Sequence, residues 1–373
     1  MKMKRIRVKA IGIIITFIIV LFMAATLIRK KGEISFHENR RLAELPRISL
    51  FSLADGTFFS GLGNYVSDHF AFRSKMLAVN AKLYIYKGEP IINDVFITDE
   101  RMLHAEIRDE KSEWKSAEAI NELAEKFNDS VYVIAVPSSD GVYSDNLPEY
   151  LNSYTQKAQI DSFYNALDNS VKRIDAYSIL KMLNDNYIYY RNDTRWTSYG
   201  AYCVYRTVIQ KLGFMPITYD KYTIEHVTSE FRGNLYNKTL YTGTKADIID
   251  IYYYDKGSKI VSMKAYDKNG KSTDVSMYDK AFINTNDSYK FYMGNENGLT
   301  IIKTDVSNDK KLLLIKDEYA DCFIPFLAQH YSEIAVLSED CKLSEYNGLL
   351  DINDYNQMLL LFGADNLVNE KFF

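Results

Sequence analysis

The stretch "KKLLLIKDEYADCFIPFLAQHYSEIAVLS" (Lys310–Ser338) decides the fold. Its first part is a continuous β-rich apolar run, the pattern of a strand buried on both faces of a parallel sheet. An acidic pair, Asp317 and Glu318, closes that run. "YADCFIPFLAQHY" then predicts a helix, and "SEIAVLS" a further strand. Strand–helix–strand is a crossover unit, and crossovers repeat only in a mostly parallel sheet with helices on both faces. Outward from this unit, "VYVIAVP" (Val131–Pro137) and "QMLLLFG" (Gln357–Gly363) read as two more buried strands. "SEWKSAEAINELAEKFN" predicts a helix over Ser112–Asn128 with Ser112 as N-cap. Further helical stretches lie around 155–170 and 176–185, and from about Tyr199 to Leu212, where Gly213 stops the helix. Residues of about 214–300 differ. They are rich in Tyr, Thr, Asn and Asp, and alternations such as "DIIDIYYYD" and "KIVSMKAYD" predict an inserted antiparallel β region. The predicted class is α/β, three layers around a mostly parallel sheet.

The N-terminus has a separate character. Ala10–Ile28 holds 19 residues without a charge, with five cations before it and Arg29, Lys30 and Lys31 after it. As a helix this run would rise roughly 28 Å, enough to cross a bilayer core. The excess of cations before it places the N-terminus in the cytoplasm. Residues 1–31 are therefore expected to be a cytoplasmic tail and single-pass transmembrane anchor, and 32–373 one extracytoplasmic domain. A cleaved signal peptide is the alternative, although "MAATLIRKKG" offers no clean cleavage site. Removing the eight cations of residues 1–31 from the chain's 45 leaves 37 against 49 acids, a net charge of −12. Such a surface excludes nucleic acid as a partner, because phosphate neutralisation requires clustered Lys and Arg. The three cysteines, Cys203, Cys322 and Cys341, lack metal-ligand spacing, and a Cys322–Cys341 bridge remains open. No metal and no cofactor is expected.

In a parallel sheet, ligands gather at the C-terminal strand ends. Asp317 and Glu318 stand at such an end, where either one can cap the following helix or face a ligand. A second block, "RNDTRWTSYGAY" (Arg191–Tyr202), sets Asp193 and Arg195 two residues apart, so in an extended segment both point to one side and can pair. Trp196 is either a packing residue or a platform for a sugar. The pattern G-x-S-x-G is absent, and His37, His69, His104, His226 and His330 are scattered without metal spacing. His330 falls late in a predicted helix, a position that suits a cation.

Six segments in order resemble the bacterial DHHW proteins, named for an Asp-His-His-Trp block, and more distantly the alginate O-acetyltransferase group of the SGNH-hydrolase-like superfamily. They are "HENRRLAELP", "YVSDHFAFR", "VYVIAVPSSDGVYSDNLP", "RNDTRWTSYGAY", "SEFRGNLYNK" and "KKLLLIKDEYADCFIPFLAQHYSEI". The resemblance implies a three-layer SGNH-like α/β fold outside the cytoplasmic membrane, linked to O-acetylation of cell-envelope or secreted polysaccharide. It also implies acyl transfer through a serine ester, with a histidine base oriented by an aspartate. This sequence keeps the acid as Asp193, but Thr194 and Arg195 stand at the histidines and Glu318 at the serine. Arginine stays protonated and accepts no proton, and a carboxylate offers no hydroxyl to acylate. The resemblance therefore makes Asp193, Arg195 and Glu318 the triad positions of a centre without competent groups. It makes Trp196, Arg191, Asp317 and Tyr319 the candidate substrate contacts. Glu318 and Arg195 are expected to form a bidentate pair that holds the old site shut.

Three functions follow. One is a catalytically silent, membrane-anchored protein that binds a polysaccharide or a membrane protein of the acetylation machinery. Another is an active O-acetyltransferase or acetylesterase with rewired chemistry, using Glu318 as base or Cys322 or Ser288 as nucleophile. The third is a structural envelope protein.

Overall fold

Side chains alternate across a strand, so a run that is apolar at every position must be covered on both sides. The computed structural model describes residues 12–14, 16–17, 20–22, 24–26, 34–35, 40–108, 113–152, 154–285, 287–294, 298–339 and 341–368. The chain divides into two compact units, residues 1–89 with 237–243, and residues 90–236 with 244–373.

In the first unit, strands β1 (Ile34–Ser35) and β2 (Arg40–Arg41) pair antiparallel, and three helices follow: α1 (Leu50–Ala54), α2 (Thr57–His69) and α3 (Arg73–Tyr86). Arg40 grips Asp68 with two hydrogen bonds of 2.6 and 2.8 Å, and the backbone N–H of Ala43 donates to the same carboxylate. The hydrogen bonds from Arg40 hold Asp68 well below the usual carboxylate range, against the effect of burial. This clamp joins "HENRRLAELP" to "YVSDHFAFR". Of the expected anchor, residues 10, 11, 15, 18, 19, 23, 27 and 28 lie outside the described residues. The described ones between 12 and 26 are helical, and Ile13, Ile14, Phe17, Val20 and Leu21 are exposed. Among the described residues no helix is long and apolar enough to cross a membrane.

The second unit begins with a small antiparallel sheet, β3 (Ile91–Ile92), β4 (Val95–Ile97) and β5 (Met102–His104). Helix α4 (Lys115–Lys126) leads into strand β6 (Ser130–Val136). The expected start of α4 moves. Ser112 lies outside the described residues and the cap position belongs to Trp114, whose indole is buried and donates to Ser162. Then come helix α5 (Gln156–Ala166), strand β7 (Val171–Ile174), helix α6 (Ala176–Met182) and helix α7 (Ser198–Lys211). Thr197 caps α7 by accepting from the Gly200 N–H, and Gly213 (φ +90°) ends it. Among the described residues, strands β8 (Thr223–Phe231) and β9 (Asp247–Tyr253) pair only with each other, whereas β10 (Ile260–Tyr266), β11 (Ser272–Asp274) and β12 (Leu299–Thr304) extend the main sheet. The 214–300 region is thus not one separate insertion. Its first half forms a two-stranded sheet whose Phe231, Ile249 and Ile251 pack into the core on the α7 side, and its second half extends the central sheet. Strands β13 (Lys311–Lys316), β14 (Glu333–Ser338) and β15 (Gln357–Gly363) close the chain.

The main sheet has the order β11-β10-β12-β14-β13-β15-β6-β7. The last five run parallel and the first three are antiparallel. The pleat divides the core in two. Tyr132, Ile134, Leu312, Leu314, Leu359 and Leu361 face the layer that holds α7. Val133, Ala135, Leu313, Ile315, Met358 and Leu360 face the layer of α4 and α5. This is the expected three-layer arrangement.

The helix expected after Asp317 is broken. A 3-10 turn spans Glu318–Ala320, and a four-residue helix starts only at Ile324. Pro325 explains the break: it lacks an N–H and is tolerated only in a helix's first turn. His330, expected as a cation on that helix, is buried against Tyr205 and Phe214, and its Nε2 lies 2.7 Å from the Tyr205 hydroxyl. Burial lowers its pKa to about 4. Between that value and the ordinary 6.5, the unfolded chain binds a proton that the folded one excludes. Stability is therefore expected to fall by on the order of 2 kcal/mol as the pH drops from 6.5 towards 4. Urea melts of wild type and His330→Gln across that range check this: the substitution flattens the slope.

Candidate functional site

The loop between α6 and α7 carries the site, and Asp247 of β9 shapes it. Its buried carboxylate accepts from the Tyr187 hydroxyl (2.7 Å), the N–H groups of Arg191 (2.8 Å) and Asn192 (2.9 Å), and the Asn192 amide (2.8 Å). The loop is further closed by the Tyr189–Trp196 bridge. Asp193 then points inward. Its Oδ1 accepts from the N–H (2.9 Å) and Nε (2.8 Å) of Arg195, and its Oδ2 from Nη2 of Arg195 (2.7 Å) and the N–H of Asn234 (3.0 Å). The carboxylate packs so close to Gly233 that a Cβ there would sit 2.1 Å from Oδ2. "SEFRGNLYNK" therefore needs its glycine.

Arg195 and Glu318 meet across 123 residues of sequence, with Nη1 2.5 Å from Oε2. The contact is single. The expected bidentate geometry belongs to Asp193 instead, and Glu318 is not buried: 56% of its side chain is exposed, against 6% for Arg195. The guanidinium also lies over the Tyr289 ring, 3.7 Å from its centroid. Burial opposes the charge of Arg195, but the carboxylates of Asp193 and Glu318 outweigh it and hold the group above its ordinary range. Two carboxylates surround one guanidinium, so the centre carries a net negative charge.

The other candidates occupy structural posts. Trp196 is fully buried, donates from Nε1 to the Tyr319 carbonyl (2.7 Å) and stacks on Phe323, so it offers no platform to a sugar. Asp317 is buried and accepts from the N–H groups of Tyr319 (2.9 Å) and Gly363 (2.6 Å) and from Asn366 (2.7 Å). It is the turn's cap. Burial raises its pKa to about 6, against those hydrogen bonds. Tyr319 is buried and donates to the Thr194 carbonyl, tying the two strand-end segments together. Arg191 lies over Tyr187 and near Asp247, with a third of its side chain exposed. Of the four expected substrate contacts, only Arg191 is open to solvent to that extent.

The rewired nucleophiles are closed off. Burial pushes the Cys322 thiol up to about 12, and Ser288 spends its hydroxyl on the carbonyls of Ile283 and Thr285. All three cysteines are free, so the Cys322–Cys341 bridge is absent. Among the described residues no group of three His, Cys, Asp or Glu side chains is placed to hold a metal ion.

The family profile described as DHHW protein matches residues 112–337, which include β6, the loop, β13 and every residue of the Asp193–Arg195–Glu318 cluster. The chain is a DHHW protein. In it the signature block reads Asp193-Thr194-Arg195-Trp196. A solved DHHW family protein from Eubacterium siraeum shares its fold at 23% identity, covering 75% of this chain and 93% of that one, with a TM-score of 0.64. PatB1 of Bacillus cereus, solved with a sulfonyl adduct, is similar at 20% identity over 74% of this DHHW protein and 97% of its own chain, with a TM-score of 0.63. At these identities the likeness is one of fold. No functionally curated protein matches the sequence.

No local pattern marks Tyr289 or Gly233 as part of this centre. Tyr289 is one of 30 tyrosines, and Gly233 stands 40 positions from the carboxylate it accommodates.

Proposed function

We propose that this DHHW protein is a membrane-anchored, catalytically silent member of its family, acting outside the cytoplasmic membrane in polysaccharide O-acetylation. It binds a glycan or a membrane protein of the acetylation machinery and leaves acyl transfer to others. One observation carries this reading. At the positions where the family resemblance implies base and nucleophile, a guanidinium donates from Nε and Nη2 to Asp193 and from Nη1 to Glu318. That group can neither take up a proton nor turn freely towards a developing oxyanion. Acylation of Glu318 would give an anhydride, which is no resting intermediate for acetyl transfer to sugar. The anchor draws support from the uncharged run Ala10–Ile28 and from the bare apolar side chains described within it.

A rewired hydrolase has one observation in its favour, the exposure of Glu318, which is open to a water molecule. Against it, Oε2 of Glu318 is already engaged, accepting from Nη1 of Arg195. The full-length protein in detergent, assayed on p-nitrophenyl acetate and on an acetylated oligosaccharide, is expected to hydrolyse neither faster than buffer does. Turnover near the ordinary enzymatic range of about 1–10³ s⁻¹, abolished in Glu318→Gln, would overturn the silent reading in favour of the rewired one.

A further inference from the structure

Helix α3 (Arg73–Tyr86) has two apolar faces and covers only one of them. Ala81 is buried and Ala78 and Ile85 are half-buried, a stripe at helical spacing that packs inward. On the opposite side Phe72, Met76, Val79, Leu83 and Tyr86 recur at steps of three and four, the spacing of a single face. Each is between 45 and 89% exposed. A contiguous bare stripe of large apolar side chains marks an interaction surface.

Three observations identify the occupant. The stripe begins at the apolar N-terminal run itself. Phe22 stacks on Phe70 (5.5 Å between ring centroids) and meets Phe72 edge-on (6.2 Å), and Thr26 accepts from the Ala71 N–H (3.1 Å). That run is bare as well, with Ile13, Ile14, Phe17, Val20 and Leu21 exposed, so the uncovered apolar surface extends over both elements. Cations border the stripe. Lys75, Lys82 and Lys87 are exposed, and residues 40–89 carry seven Lys and Arg against four acids in a chain whose exported part is otherwise strongly acidic. Apolar and aromatic side chains flanked by lysines on a surface helix suit the headgroup boundary of an anionic bilayer.

We propose that α3 lies along the outer face of the membrane, with Phe72, Met76, Val79, Leu83 and Tyr86 in the acyl boundary and Lys75, Lys82 and Lys87 among lipid phosphates. The helix would hold the first unit against the bilayer beside the point where the chain emerges. This rests on the reading that residues 10–28 enter the membrane, and the test separates the two. The full-length protein is placed in vesicles of phosphatidylcholine and phosphatidylglycerol, with and without brominated acyl chains. Two variants are compared, Val79→Trp for the stripe and Phe17→Trp for the N-terminal run, over a constant background from Trp114 and Trp196, which are buried. Both new indoles are expected to lose at least half their emission in brominated vesicles, and Val79→Trp to escape aqueous iodide. Quenching of Phe17→Trp alone overturns the placement of α3 and leaves the anchor standing. Quenching of neither overturns both. A Val79→Trp signal sheltered from bromine and iodide alike shows a face covered by protein, a second copy or another part of this chain, and also overturns the proposal.

Discussion

Asp193→Asn is expected to lower the melting temperature by about 5–10 °C, while Glu318→Gln lowers it by less than about 2 °C. Both substitutions remove one carboxylate from Arg195, and a count of salt bridges would make them equal. Burial separates them. Asp193 is completely buried and supplies four of the hydrogen bonds that fix this corner, two of them to the guanidinium and two to backbone N–H groups. Asparagine would turn an amide N–H₂ towards donors and leave a buried guanidinium with one partner at the solvent edge, at a cost of about 3–5 kcal/mol. Glu318 keeps more than half its side chain in water, where such a pair contributes about 0–1 kcal/mol. The double change Asp193→Asn, Arg195→Met should recover most of the loss, because it removes the stranded charge together with its partner. Thermal melts of the three variants decide the matter. An Asp193→Asn protein as stable as wild type would mean that the clamp does not organise this corner.

The same contrast shows what was legible in the sequence. Val131–Val136, Leu312–Ile315, Ile334–Leu337 and Met358–Phe362 announced themselves because strands buried on both faces leave no polar position to confuse the pattern. β7 carries no such signal, because "VKRI" is four residues long at the edge of the sheet, with Lys172 exposed and Arg173 partly so. The helix after Asp317 is shorter than its apolar spacing predicts, because that spacing continues through Pro325 and a proline there can only begin a helix. His330 departs from its pattern for a related reason: helical position suggests a cation, and tertiary burial favours the neutral ring. The cluster itself was not readable from spacing, since Asp-x-Arg recurs by chance. The family resemblance pairs Arg195 with Glu318, whereas in the folded chain the bidentate bond goes to Asp193, the near, buried acid.

If the centre is a disabled acyl-transfer site, its repair should restore chemistry. The double change Arg195→His, Glu318→Ser is expected to raise p-nitrophenyl acetate hydrolysis on the order of 10²-fold or more above wild type. The setting favours this. Asp193 already accepts from the backbone N–H of residue 195, so an imidazole there has a carboxylate beside it to fix its tautomer. Residue 318 follows β13 at the first position of the turn capped by Asp317, and its side chain is directed at residue 195. Tyr289, which now stacks on the guanidinium, is left to flank the imidazole. Each single change should stay at the wild-type rate. Arg195→His alone has a base and no hydroxyl, while Glu318→Ser alone has a hydroxyl facing a group that cannot deprotonate it, and members of such a triad act as a unit. That non-additivity is the signature to look for, with melting curves confirming that all three variants fold. A folded double variant no faster than either single one would mean that the pocket lacks the remaining machinery of acyl transfer, and that the Asp193–Arg195–Glu318 cluster serves to build the fold.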